Sequence, residues 1–270
     1  MHKPVLPTLD QVLAAAAPTP ATHLGRVVLS EAQRAHAMPS SPLEARPLEH
    51  TFERALLNAK QQRGGAIIAE YKRASPSLGA FAADRDFREQ LLAYRNGGAA
   101  CVSILAEPNL FQGSTADVVA AAEFGMPRIY KGFVLGEAHL KEAQASGAQA
   151  VLLIARVLKA YTAVFADAAR SAGLEPLVEL HDLSEIDYAR QAKARLVGIN
   201  ARDLASFSIS SPDASPLRAA FPDAVLIRES GLRDPEDIQA AFAQGFDAVL
   251  IGEALMRSED PQKFLEAVYA

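Results

Sequence analysis

Six polar residues of this 270-residue chain stand where a folded protein rarely leaves charge without a use. Glu70 lies near the end of the apolar run GAIIAEY and Lys72 follows it, Lys131 lies in RIYKGFV, and Glu179 is the penultimate residue of EPLVEL. Asn200 ends LVGIN, and Glu229 ends AVLIRE. Ionised groups are costly to bury unless they are paired or do work. Carboxylates and ammonium groups brought together can pass protons, which is the requirement of general acid–base chemistry. Glu70 and Lys72 are two apart on an extended chain, so their side chains share one face and Tyr71 takes the other. A structural ion pair would account for any one of these groups. Five runs ending in such groups are hard to explain that way.

A second signal points to an anion. ESG at 229–231 and IGEAL at 251–255 put small residues immediately before helical segments. Free N–H groups at helix starts, together with the helix dipole, attract phosphate. Ordinary turns would account for either stretch alone. Ser230, Gly231, Gly252 and Glu253 together favour a sugar-phosphate ligand.

The elements that must position these groups are legible as a strict alternation. Short apolar runs rich in β-branched residues fall at 65–71, 99–105, 128–134, 149–155, 175–180, 196–200, 224–230 and 247–253. Segments with helical spacing separate them, and several end in Gly before the next run, as helix C-termini do. Continuous apolar strands imply burial on both faces, hence a parallel sheet under covering helices. Eight such units predict an α/β protein with a single closed (β/α)₈ TIM barrel, whose active site lies at the C-terminal strand ends and whose last two loops bind phosphate. A doubly wound open sheet is the alternative, and the missing GxGxxG turn after the first run counts against its dinucleotide-binding form. Residues 1–50 differ: they are rich in Ala and Pro and read as an N-terminal extension or cap with short helices at 8–17 and 29–36, before a catalytic barrel at 51–270.

Composition sets further bounds. Twenty-seven basic against 32 acidic side chains give a net charge of −5, which offers no electrostatic basis for nucleic-acid binding. No apolar stretch approaches the roughly 20 residues that span a bilayer, and Pro4, Pro7 and Asp10 interrupt what would otherwise faintly resemble a signal peptide. The single cysteine, Cys101, lies in an apolar run and reads as buried and inert, in keeping with a reducing, cytoplasmic setting. The six histidines show no metal-ligand spacing, so no metal is expected. His181, two residues after Glu179, reads as a hydrogen-bonded structural residue.

Taken in order, IIAEYKRASPSLG, VSILAEPNLFQGS, YKGFVL, GAQAVLLIARVL, GLEPLVELHD, GINARDLASF, ESGLRDPEDI and DAVLIGEALM resemble the indole-3-glycerol phosphate synthase family over about residues 65–262. The resemblance implies a decarboxylating, ring-closing lyase of tryptophan biosynthesis. Its substrate would be 1-(2-carboxyphenylamino)-1-deoxyribulose 5-phosphate, converted to indole-3-glycerol phosphate with loss of carbon dioxide and water. It implies that Lys131 is the general acid, with a pKa lowered by the dry barrel mouth. Glu179 and Glu70 would be catalytic carboxylates, with Lys72 a second proton donor, Asn200 a positioner of hydroxyls and Glu229 an orienter of the lysine. Ser75, Ser230, Gly231, Gly252 and Glu253 would meet the phosphate, Pro76 and Phe111 would wall the aromatic ring, and Arg202 would support the site. No cofactor is implied, because the substrate's own nitrogen sets up the enamine-like intermediate. A small sugar-phosphate is the only partner expected, and a monomer is the default.

The chain departs from the family at Gly132, where Asp usually follows the lysine, at Ala106 for Thr, and at Leu78 for Lys. Arg228 places a cation on a helix-facing strand position, and the extension lacks the charged opening helix that caps the substrate entrance. Two other functions compete with the lyase. One is an isomerase of a phosphoribosyl amine, which would want Asp/Cys or paired Asp; the other is a paralogue that binds a sugar-phosphate ligand without turnover or with altered specificity.

Overall fold

The computed structural model describes residues 4–38, 42–75, 79–82, 84–202 and 213–270. Eight parallel strands close on themselves in chain order: β1 Ala66–Tyr71, β2 Cys101–Leu105, β3 Arg128–Lys131, β4 Ala150–Ile154, β5 Glu175–Leu180, β6 Leu196–Asn200, β7 Val225–Glu229 and β8 Ala248–Ile251. The register β1–β8 (Ala66 with Ala248 through Ala69 with Ile251) completes the ring. This is the (β/α)₈ barrel that the alternation of the sequence implies, and its strands are almost wholly buried, as sheets covered on both faces require.

Helices follow the strands: α4 Phe87–Asn96, α5 Thr115–Ala120, α6 Glu137–Ala145, then α7 Ala155–Leu158 and α8 Thr162–Ser171 after β4, α9 Ile186–Gln191, α10 Ser215–Ala220, α11 Pro235–Ala243, and α12 Glu253–Arg257 with α13 Pro261–Val268 after β8. Side-chain caps begin several of them, with Asp86 accepting from Glu89 N, Asp234 from Asp237 N and Asp260 from Lys263 N.

Three helices precede the barrel: α1 Leu9–Ala16, α2 His23–Ala37 and α3 Thr51–Arg63. Helix α2 starts at His23, well before the expected 29, because Thr22 caps it by accepting from Gly25 N at 3.0 Å. Gly25 is obligatory there, since a Cβ would lie 1.8 Å from the Thr19 carbonyl oxygen. Val12, Val27, Val28 and Ala32 from α1 and α2 join the same apolar core as the barrel strands. Helix α3 closes the opposite, N-terminal end of the barrel with Phe52 and Leu56. Its first turn is held by the Glu175 carboxylate on β5, which accepts from Phe52 N (2.7 Å) and Glu53 N (2.9 Å).

Candidate active site

The C-terminal ends of the strands converge as the sequence requires. Lys131 at the end of β3 points into the barrel mouth, its Nζ 2.8 Å from Glu70 Oε2 and 3.4 Å from Glu229 Oε2. Lys72, just past β1, places its Nζ 2.7 Å from Glu70 Oε1, so one carboxylate is gripped by two ammonium groups. Glu179 and Glu229, on β5 and β7, are buried alongside, and Asn200 on β6 is in register with Glu229. Asn200 also hydrogen-bonds to Glu179.

Two glycines make this packing possible. A Cβ at Gly198 on β6 would fall 2.2 Å from Glu229 Oε1, and one at Gly252 would fall 2.6 Å from Glu70 Oε1 and 3.0 Å from its Cβ. The missing side chain of Gly252 is therefore the space Glu70 occupies.

The charges in this cluster are divided unequally. Burial alone would favour neutral Lys131, but Glu70, Glu229 and Glu179 together outweigh it and raise the ammonium pKa. This corrects the expectation of a lowered lysine pKa: the mouth is dry, yet its dominant field is that of three carboxyl groups. Burial likewise opposes ionised Glu70, and Lys131 with Lys72 overcomes it, bringing the carboxyl down to about 2. Glu229 goes the other way, pushed up to about 8 by burial and by neighbouring Glu179. Burial also raises Glu179, against the pull of Lys131. At neutral pH the Glu179–Glu229 pair therefore holds a proton, with Glu229 hydrogen-bonded to Glu179. Among the described residues no donor faces the buried Glu229 Oε1, which a carboxyl that carries its own proton tolerates better than a carboxylate.

An apolar wall borders the charges. Phe111 from the loop after β2 lies against Phe133 just after β3, with ring centroids 6.3 Å apart, and Leu105, Leu152 and Ile154 extend the surface. Helix α2 completes the wall with His23, Leu24 and Val27. The extension thus supplies a helix over the entrance, and that helix carries Arg26, Glu31 and Arg34. Across the mouth, Ser230, Gly231, Gly252 and Glu253 border a second pocket that also reaches Glu70, Lys72, Lys131 and Arg202. Ser230 and Gly231 both adopt left-handed backbone (φ 66° and 74°), forming the sharp turn after β7. Arg202 donates to Glu253 (3.1 Å), while its N–H donates to Asn200 Oδ1 (3.1 Å). Ser75 lines the apolar pocket as well. Pro76 and Leu78 lie outside the described residues. Arg228 faces the outer helices and is buried, reaching Gln244 Oε1 at 3.4 Å.

Several contributors escaped the sequence reading. Phe133 sits beside the noticed Phe111, and a second aromatic two residues after Lys131 was the available signal. Glu107 is fully buried and accepts from the N–H groups of Asn109, Leu110 and Phe111 at 2.7–2.9 Å, which fixes the loop that presents Phe111. His181 brings its Nε2 to 3.2 Å from Glu179 Oε1, a contact with the site itself. Among the described residues, the grouping suited to a cation (His50, Glu53 and Glu175) is at the far end of the barrel, where Glu175 caps α3 and Glu53 pairs with Arg195.

A closed parallel barrel with a cluster of buried carboxyl and ammonium groups at its C-terminal mouth, beside a sharp turn after β7, defines the class as a (β/α)₈ barrel with its polar cluster where such enzymes carry their active sites. Two solved structures are similar in fold alone: a thiamine phosphate pyrophosphorylase from Pyrococcus furiosus (TM-score 0.55, 14% identity, 77% of this chain and 95% of that one) and a structure described as native KDPGal (TM-score 0.53, 17% identity, 75% and 91%). The family model for indole-3-glycerol phosphate synthase matches residues 26–268, and the chain belongs to that family. It is 39% identical to the indole-3-glycerol phosphate synthase of Desulfosudis oleivorans over 236 residues (85% of this chain, 90% of the relative). To those of Carboxydothermus hydrogenoformans and Mycobacterium tuberculosis it is 38% and 37% identical, covering 90% and 94% of this chain.

Proposed function

We infer that the barrel mouth performs the family's reaction, closing the indole ring of 1-(2-carboxyphenylamino)-1-deoxyribulose 5-phosphate with loss of carbon dioxide and water. The observation that carries the reading is one ammonium, Lys131, held between Glu70 and Glu229 beside an apolar wall and bordering the pocket of Ser230, Gly231 and Gly252. The aromatic ring lies against Phe111, Phe133 and α2, and the phosphate meets Ser230, Gly231, Gly252 and the Arg202–Glu253 side.

When the ring carbon bearing the carboxylate attacks the ribulose carbonyl, the carbonyl π pair becomes an alkoxide, and Lys131 delivers its proton there. A raised lysine pKa suits this step, because a developing alkoxide is more basic still. Breaking the bond to the carboxylate releases carbon dioxide and returns the electron pair to the ring. Dehydration then removes the new hydroxyl with a proton from an ammonium group, while the neighbouring carbon loses its proton to a base. Glu70 is too firmly ionised and too tightly held by two lysines to accept that proton readily. Glu179, already sharing a proton with Glu229, is the better base. Glu70 then serves to hold Lys131 and Lys72 at their donating positions.

The described residues contain no helix long and apolar enough to cross a membrane. Their large exposed apolar side chains, Val5, Leu57, Leu92, Val119 and Leu183, belong to separate segments, which supports a monomer. The test is to supply the carboxyphenylamino-deoxyribulose phosphate to purified, folded protein and follow indole absorbance or fluorescence. Product confirms the lyase; none would instead favour a protein that binds the ligand without turnover.

A further inference from the structure

We propose that Arg34 is a positioning residue for the reaction, clamping α2 onto the chain segment that carries Lys131 so that the apolar wall of the site stands ready before substrate arrives. Residues 24, 27, 31 and 34 fall on one face of α2. The same face that offers Leu24 and Val27 to the pocket therefore carries Glu31 and Arg34 against the barrel. The Arg34 guanidinium donates to Glu31 on its own helix (2.8–3.1 Å) and to both oxygens of Glu142 on α6 (2.8 and 3.0 Å). Glu142 in turn accepts from the Tyr130 hydroxyl (2.6 Å) and from Thr115 (2.7 Å), which begins the helix after the Phe111 loop. Tyr130 is the residue before Lys131.

A second arm closes on the other side of that lysine. Glu31 Oε2 lies 3.3 Å from His139 Nε2, and both side chains are fully buried. Leu135 N–H donates to His139 Nδ1 at 3.4 Å, so the imidazole bridges this segment to Glu31, which its Nε2 approaches without hydrogen-bond geometry. The clamp therefore grips the chain at 130 and at 135, and Lys131, Gly132 and Phe133 lie between. Gly132 belongs to the same device, because a Cβ there would come 2.8 Å from Tyr130 Cε1. In this chain the tyrosine ring takes the room that the family's Asp would need.

The energetics give the clamp one direction of failure. Without the arginine, buried Glu31 keeps only His139 as a partner, and an under-compensated buried charge is expensive. Because α1 and α2 precede the barrel, lifting α2 hydrates Glu31 without breaking a strand. Substrate filling the wall would draw the helix back. A site that is competent only part of the time has its apparent affinity reduced by that fraction, while turnover at saturation survives.

The inference rests on the lyase reading for its kinetic arm but not for its structural one. In the full chain, Arg34→Met is expected to raise KM about tenfold with kcat changed less than about threefold, the pattern of lost binding competence. Amide hydrogen exchange should show α2 losing protection while β1–β8 keep theirs, and Arg34→Lys should recover part of both effects. Tyr130→Phe, which deletes only the hydroxyl, gives a milder version should Arg34→Met fail to fold. Unchanged protection of α2 in both variants would overturn the clamp. So would lost protection with an unchanged KM, since the wall would then be dispensable. A wild-type protein that forms no product would defeat the lyase reading, and the exchange experiment would still decide whether the clamp exists.

Discussion

Lys131 is surrounded by carboxyl groups that carry different charges, and this inequality is the chemical content of the site. Glu70 is a fixed anion, Glu229 is an acid with a pKa near 8, and burial raises Glu179 above the ordinary carboxyl value against the pull of Lys131. Replacing Lys131 by Met should lower turnover at least ~10²-fold, the low end for a lost general acid, with indole formation as the readout. Rate retained near normal would mean that another group donates the proton. The Glu179–Glu229 pair should write an alkaline limb into the pH profile. Glu229 holds its proton below about 8 and loses it above, which sets two anions side by side, so kcat/KM should fall as pH rises through that value. Glu229→Gln, which keeps a neutral hydrogen-bonding group, should abolish this limb. The same shift has a stability consequence of definite sign: the folded state binds more protons than the unfolded between the ordinary carboxyl value and about 8, so Glu229 costs progressively more stability as pH rises through that window. Residue types at strand ends were enough to nominate the cluster. Proton ownership was not legible, because it depends on distances of a few ångströms among side chains far apart in sequence.

At the scale of elements, the strands were readable because each is a short, continuous apolar run, and burial on both faces leaves few other sequences possible. The N-terminal helices were less so. The second was expected at 29–36, whereas it begins at His23, where Gly25 lets Thr19 pack against α2. The role of α2 was hidden for a related reason: Glu31 and Arg34 look like solvent-facing charges until their partners on α6 are known. Gly132 shows how an element can absorb a departure from its family. Restoring the carboxylate by Gly132→Asp is expected to lower stability by about 1–3 kcal/mol, the usual cost of overpacking, and to lower turnover with it. Calorimetric melting and the indole assay would check both, and a shift in either toward improvement would mean that the Tyr130 ring moves aside freely. Shrinking that ring together with the Gly132→Asp change should recover part of the loss.

For the molecule as a whole, the barrel divides labour between its ends. The N-terminal end is closed by α3 and its Glu175 cap, and the C-terminal end gathers every group assigned to the reaction. Among the described residues no extended apolar face demands a second copy, so sedimentation should give a single species near 28.8 kDa; a concentration-dependent larger species would show an interface that the separate exposed apolar residues do not suggest. The contact between Gly252 and Glu70 reaches further than either residue. The end of β8 leaves the hollow in which the lysine-gripping carboxylate rests. On the proposed reading, where this strand end also meets the phosphate, holding the tail and delivering the proton are mechanically interlocked, and an engineer who fills position 252 to retarget this scaffold to an uncharged substrate will disarm its chemistry in the same stroke.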